Sequence, residues 1–307
     1  MINTKEIFRI LPDSIKSLIG EENFNKVQEI RLRVNKPLML EMEQKEKVFN
    51  YIVSSEEIDI VLKRMSNYSI YAYDEEIKRG YITVKGGHRI GICGKCIVEK
   101  EKIKTIKDIS SLNIRISKEI LGCSDNIVKY LVDKGEIVNT IIISPPKCGK
   151  TTLLRDIARN ISDGVAKSSL LGKKITVIDE RSELSACYNG APQLNLGIRT
   201  DVLDSCPKSE GIITAIRSMA PEVIICDEIG TVRDTESIVA AMNSGVKVIT
   251  SIHGYDISDL YNRPVFKEII DNKVFKRAVV MSHKKGPGTI EYIYDFLEQK
   301  KIFKEVL

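Results

Sequence analysis

Four clusters of chemically capable residues occur in the second half of the chain, and each directly follows an apolar run. SPPKCGKTT (144–152) follows NTIII, DERSE (179–183) follows KITVI, Asp227-Glu228 follows EVIIC, and His253 follows VITSI. Gly149-Lys150-Thr151 is the ending of a phosphate-binding loop, although Ser144 and Pro145 stand where the pattern G-x-x-x-x-G-K-[ST] begins with glycine. In such a loop backbone N–H groups surround the β-phosphate at a helix N-terminus. Gly149 permits close approach, Lys150 reaches the β- and γ-phosphates, and the Thr151 hydroxyl ligates Mg²⁺. Pro145 and Pro146 stiffen the loop, Lys147 and Cys148 complete it, and Thr152 packs or makes a second phosphate contact. Asp227 reads as the metal-shell carboxylate at the end of a Walker B strand, and Glu228 as a residue that polarises the attacking water. Glu180 and Glu183 supply further carboxylates on a neighbouring strand end, and a second acidic cluster suits hydrolysis better than transfer to an acceptor. His253 is positioned to sense the γ-phosphate.

These assignments require elements that bring the four clusters together. Continuous Val/Ile runs are the pattern of parallel strands buried on both faces, and the helical stretches 150–161, 209–219 and 234–244 supply the crossovers such strands need. Ligands of these sheets bind beyond the carboxyl ends of the strands, where all four clusters fall. The expectation is an α/β fold, a RecA-like P-loop NTPase core with a parallel sheet over 131–307, preceded by a smaller α+β domain over 1–130.

In the first part, 12–30 has helical periodicity and 31–50 reads as two strands around Asn35-Lys36-Pro37. Ser54-x-x-Glu57 is a capping-box helix start, and a short helix is expected over 68–79. Residues 80–117 alternate with period two, with Gly86-Gly87 as a hairpin turn, and a helix is expected over 124–135. Arg31, Arg33, Arg89 and Arg115 lie in the strand-like segments, either as surface charges or facing a nucleotide.

Composition limits the remaining classes. With 307 residues, 43% hydrophobic and 29% charged, the chain can bury a sizeable core. No apolar run approaches the ~20 residues of a membrane span, and MINTKEIFRI lacks a secretory layout, so a cytoplasmic protein is expected. Seven scattered cysteines do not read as a disulfide framework, and Cys93-Gly94-Lys95-Cys96 reads as small hydrophobes in a strand rather than half a zinc site. A net charge of +5 from 47 basic and 42 acidic residues announces no nucleic-acid clamp.

Together, SPPKCGKTTLLRD, VIDERSE, CYNGAPQLNLGIRTDVLDSCPKSEG, IRSMAPEVIICDEIG and ITSIHG closely resemble the stage III sporulation AA family of endospore formers, itself similar to the ATPases of type II and type IV secretion systems. VQEIRLRVNKPL and 86–117 also resemble that family's N-terminal domain. The resemblance implies ATP and Mg²⁺ as cofactors, a hexameric ring, and Glu183 as the last residue of an Asp box acting on water. It also implies action on the mother-cell side of the forespore membrane, peripherally attached to membrane-embedded channel proteins. Asp179-Glu180-Arg181 replaces the Glu-Asp-Pro of secretion motors, leaving the division of labour among Glu180, Glu183 and Glu228 open. Arg199 and Arg217 are the core candidates for an arginine acting in trans. A nucleic-acid-dependent RecA-like ATPase is the alternative, disfavoured because the chain ends soon after the core without an added nucleic-acid module.

Overall fold

The computed structural model describes residues 5–42 and 45–304, which form two compact units. One comprises the residues up to Glu119 together with Ala186–Gln193, and the other runs from Ile120 to Ser185 and from Leu194 onward.

The first unit holds helices α1 (Lys5–Ile10), α2 (Asp13–Ile19) and α3 (Glu21–Phe24), then strands β1 (Val27–Arg33), β2 (Pro37–Met42) and β3 (Lys45–Ile52). Helices α4 (Ser55–Met65) and α5 (Asp74–Lys78) and the meander β4 (Tyr81–Val84), β5 (His88–Glu99) and β6 (Lys102–Arg115) complete it. The sheet is antiparallel, in the order β3-β2-β1-β6-β5-β4. The capping box is realised: Ser54 Oγ accepts from the Glu57 N–H, and Glu57 Oε2 from the Ser54 N–H. The helix expected over 12–30 is broken instead, because Gly20 (φ 76°) ends α2 and starts α3, and the chain is extended from Val27. Over 68–79 only α5 is α-helical, preceded by a 3₁₀ turn at Ile70–Tyr73. Arg89 and Arg115 are cross-strand partners, with Arg89 stacked on the Tyr81 ring at 3.9 Å, and Arg31 pairs with Glu29. Arg33 approaches the Met39 sulfur. Cys93 and Cys96 lie in β5 but are exposed.

The second unit opens with a 3₁₀ turn (Val128–Leu131) and a small hairpin, β7 (Val132–Asp133) and β8 (Glu136–Ile137), where a helix over 124–135 was expected. Lys134 and Gly135 both have positive φ, the backbone of a tight hairpin turn, so Gly135 turns a hairpin rather than capping a helix. The core follows as β9 (Thr140–Ser144), α6 (Lys150–Asp163), β10 (Ile175–Asp179), β11 (Thr200–Asp204), α7 (Lys208–Ser218), β12 (Val223–Cys226), α8 (Val232–Asn243) and β13 (Lys247–His253). Short helices α9 (Ser258–Tyr261) and α10 (Lys267–Asp271) precede β14 (Arg277–Ser282), β15 (Thr289–Asp295) and β16 (Lys300–Lys304).

Sheet order is β11-β10-β12-β13-β9-β14-β15-β16, parallel from β11 to β14, with β15 antiparallel to both β14 and β16. Its strand residues alternate between two cores. Ile142, Val177, Ile225 and Ile249 meet Leu153, Leu154, Ile157 and Ile161 of α6 on one face. Ile141, Ile143, Ile178, Ile224 and Val248 meet Ile212 and Ala215 of α7 and Ile238 and Ala241 of α8 on the other. Burial on both faces is why these strands read as unbroken apolar runs.

A buried carboxylate pins α6 in this unit. Asp156 accepts from the Gly122 N–H (3.0 Å), the Ser124 N–H (2.7 Å) and Ser124 Oγ (2.8 Å), and pairs with Arg159 at 2.8 Å. Burial opposes its ionisation, but Arg159 and the Ser124 and Gly122 donors outweigh it and hold the carboxyl below its ordinary value. A depressed folded-state pKa contributes stability above the unfolded value, lost as pH falls through the folded one. Asp156→Asn should therefore cost about 3 kcal/mol near neutral pH. The gap from the wild type should narrow below about pH 4 in urea unfolding. An equal gap near pH 7 and pH 3 would remove the charge from this account.

Candidate nucleotide-binding site

The phosphate-type loop begins as β9, its five residues wholly buried, delivers the chain to the carboxyl edge of the sheet. Ser144 is the last residue of that extended strand, so no glycine is required there. The special backbone falls later, at Lys147 (φ 61°) and Gly149 (φ 86°), which turn the chain into α6. The first turn of α6 carries N–H groups that no helical carbonyl can satisfy, at the positive end of the helix dipole. Two contacts brace the loop's carbonyls: the Gly288 N–H donates to Cys148 O (2.7 Å), and His283 Nε2 lies 3.1 Å from Pro146 O. A carbonyl only accepts, so that imidazole nitrogen carries the proton. Thr152, half-buried, lies in the first turn of α6.

Beyond β12, Asp227 and Glu228 gather the polar side chains of three elements. Thr151 Oγ1 donates to Asp227 Oδ2 at 2.6 Å, and Ser251 Oγ donates to Asp227 Oδ1. Lys150 Nζ, almost wholly buried, lies 2.7 Å from Glu228 Oε1 and 3.8 Å from Asp227 Oδ1. His253 Nε2 is 2.9 Å from the same Glu228 oxygen, and Arg181 reaches Oε2 at 3.3 Å. Glu228 has φ 49°, and its N–H donates to Ser251 Oγ at 3.0 Å. A left-handed glutamate costs roughly 1–2 kcal/mol, and such strain concentrates at functional sites. Burial works against ionisation of Glu228, but the hydrogen bond and charge of Lys150, then the charges of His253 and Arg181, hold its carboxyl below the ordinary range.

The turn after β10 is fixed at nearly every residue. Asp179 borders the cleft, but its carboxylate is taken up by the turn itself: Oδ1 accepts from the Glu183 N–H (2.9 Å), and Oδ2 from the Ser185 N–H (2.8 Å) and Oγ (2.6 Å). Arg155 of α6 donates to the carbonyls of Glu183 (2.7 Å) and Leu184 (2.6 Å), tying this turn to the helix that follows the phosphate-type loop. Ser182 donates to Asp204, and Lys208 at the start of α7 pairs with Glu180. Glu180, Glu183, Lys208, Asp227 and Glu228 thus line a cleft of about 20 Å³, room for about one water.

Lys150, Thr151, Asp227, Glu228 and His253 therefore converge, with Glu180 and Glu183 beside them. Arg199 and Arg217 do not join them within the chain. Arg199 precedes the amino end of β11, where its guanidinium donates to Ser162 O at 2.8 Å, and Arg217 is exposed in the last turn of α7. Sequence reasoning missed Ser251, Lys208, Arg181 and the His283–Gly288 brace as parts of the site. Ser251 was legible in principle, two residues before His253 and so on the same face of β13; the others depend on packing between distant segments. Thr151, Asp227 and Ser251 make an all-oxygen donor set, which suits Mg²⁺: that ion uses one or two carboxylates and takes its remaining ligands from phosphate and water.

A family model described as "Sporulation stage III, protein AA" matches residues 1–301. The chain is 45% identical over 293 residues to Stage III sporulation protein AA of Bacillus subtilis, covering 94% of each chain. Among solved structures, the Legionella pneumophila ATPase DotB has a TM-score of 0.60 at 14% identity, with 93% of this chain and 81% of DotB covered. The pilus retraction motor PilT, solved with bound ADP, has a TM-score of 0.57 at 15% identity, with 87% and 77% covered. At such identities these likenesses establish the fold, that of secretion ATPases with a RecA-like P-loop core behind an antiparallel-sheet domain. By sequence, the chain belongs to the sporulation stage III, protein AA family.

Proposed function

We propose that this chain is a Mg²⁺-dependent ATPase whose hydrolytic cycle drives a motor of stage III sporulation. The observation that supports it most is the convergence of Lys150, Thr151, Ser251, His253 and Arg181 on the carboxylates Asp227 and Glu228, at the mouth of a phosphate-type loop. In this reading the N–H groups of 144–152 and Lys150 hold the triphosphate, and Thr151 and Asp227 hold Mg²⁺. When bound there, Mg²⁺ would supply positive charge against that developing on the β- and γ-phosphates. Lys150 leaves Glu228 Oε1 for the phosphates, and the released carboxylate, still beside His253 and Arg181, turns to the attacking water. Glu183, which lines the same cleft, shares that water. ATP as the nucleotide rests on the family.

The motor is a ring, six subunits by the family's likeness, in which Arg199 or Arg217 of one copy completes the γ-phosphate site of its neighbour. No helix among the described residues is long and apolar enough to cross a membrane. In this reading the ring sits at the cytoplasmic base of a channel between mother cell and forespore, bound to its membrane-embedded proteins.

Lys150→Ala is expected to lose ATP binding and turnover with the fold intact, as read by fluorescent-nucleotide titration and circular dichroism; near-normal turnover would remove the phosphate-loop assignment. Glu228→Gln should slow hydrolysis by about 100-fold or more. It should also tighten ATP binding by roughly fivefold, because Lys150 no longer has to leave a part-buried partner. Weaker binding in this variant would contradict a competition between Glu228 and phosphate for Lys150. For the ring, mixing Lys150→Ala with Arg199→Ala or Arg217→Ala protein should restore turnover at hybrid interfaces if that arginine acts in trans. Rates no greater than the sum of the separate variants, after verified subunit exchange, would exclude it.

A further inference from the structure

We propose that the hairpin of β5 and β6 is a lipid-contacting arm, whose tip seats Val98 and Ile103 in the headgroup layer of an anionic bilayer with Lys100, Lys102 and Lys104 around them. The inference goes beyond the reading above, because it needs neither hydrolysis nor a protein partner.

Both strands run on past the sheet that carries them. β4 pairs with β5 only as far as Gly91, and β1 pairs with β6 only over Ser111–Arg115. From Lys95 to Lys107, β5 and β6 pair only with each other among the described residues. Ile106, opposite Cys96, is buried in the core of the first unit and roots the arm. The hairpin turns at Lys100 and Glu101, both of positive φ. From Cys96 to Lys100 an extended chain reaches about 13 Å. A two-stranded ribbon is only marginally stable in water, so one that also exposes apolar side chains gains when they are covered.

The tip's chemistry selects the occupant. Val98 and Ile103 are cross-strand partners, 61% and 44% exposed. Around them, residues 95–107 hold five lysines and two glutamates, and Glu99 is engaged by Lys104 at 2.9 Å; Asp108 lies beyond the root. The occupant is therefore negative, with an apolar layer within reach. A strand added at either edge fits poorly, because the ladder bulges between Cys93 and Lys95 and between Ile97 and Val98, and both strands carry lysines. A nucleic acid fits poorly too: 93–110 contains no arginine and no aromatic side chain on which bases could stack. Lysines around aliphatic side chains suit the boundary between anionic headgroups and acyl chains, where the lysine stem lies in the apolar layer and the ammonium stays with phosphate.

The test uses the full chain, without nucleotide, and vesicles of phosphatidylcholine alone or mixed with phosphatidylglycerol. Binding to the mixed vesicles should be tighter by about tenfold or more and should weaken as salt is raised. Lys100→Gln with Lys102→Gln should cost roughly 10- to 30-fold in affinity. Val98→Ser with Ile103→Ser should cost about tenfold. Circular dichroism should be unchanged in both, since all four side chains are exposed. Because the chain has no tryptophan, Val98→Trp reports on the tip alone: on mixed vesicles its emission should move to the blue and be quenched by brominated lipid. Equal binding to both vesicles would remove the charge from the contact, and full binding by both double variants would remove the arm; either overturns the proposal. So does a Val98→Trp side chain that stays in water on bound vesicles. Absence of binding to either vesicle overturns it as well and leaves the arm for a protein partner. ATP turnover in lipid-free solution should be untouched by these variants, so this inference and the ATPase reading fail separately.

Discussion

The Lys150–Glu228 ion pair is the contact around which the polar groups of the site are arranged. A lysine almost wholly buried at the start of α6 needs a partner, and the carboxyl end of β12 provides it at 2.7 Å. Breaking a part-buried pair and leaving either charge alone is strongly unfavourable. An incoming polyanion replaces the partner instead of merely removing it, so the pair marks a place where only a group of matching charge enters at low cost. The left-handed backbone at Glu228, bonded to Ser251 Oγ, turns that carboxylate across the mouth of the loop.

Acidic residues in this unit divide into two kinds. Asp156, Asp179 and Asp234 are buried and spend their oxygens on backbone N–H groups: of Gly122 and Ser124, of Glu183 and Ser185, and of Gly230 and Thr231. They fix the ends and turns that carry the site. Asp227, Glu228, Glu180 and Glu183 instead meet cations and hydroxyls at the strand ends, or line the cleft there. The phosphate-type loop is braced by His283 and Gly288, which engage two of its carbonyls. A site built from four strand ends stays in register because the turns after β10 and β12 are capped from within, by Asp179 and Asp234, and the loop after β9 is braced from His283 and Gly288.

The core was legible because its signals are local and cooperative. Unbroken Ile/Val runs ending in polar clusters identified β9, β10, β12 and β13, with α6, α7 and α8 between them. Periodicity failed where a single glycine decides the backbone: Gly20 breaks the helix expected over 12–30, and Gly135 turns a hairpin where a helix was expected. It also missed the parallel strand β14, the edge strand β11 and the antiparallel extension β15–β16, of which β11 and β15 are less uniformly buried than the strands it identified. In the site, residue types at fixed offsets identified Lys150, Thr151, Asp227, Glu228 and His253. The burial of Asp179, the grip of Arg155 on the Asp179–Ser185 turn and the place of Lys208 arise from packing between segments far apart in the chain.

The central claim is that Lys150 exchanges Glu228 for phosphate. A crystal structure with Mg²⁺ and a non-hydrolysable ATP analogue tests it most directly. The account predicts Lys150 Nζ within hydrogen-bonding distance of the β- and γ-phosphate oxygens, away from Glu228 Oε1, with Thr151 Oγ1 turned from Asp227 toward the metal. A structure with nucleotide bound in which Lys150 keeps its contact with Glu228, or in which the triphosphate lies away from 144–152, would contradict it.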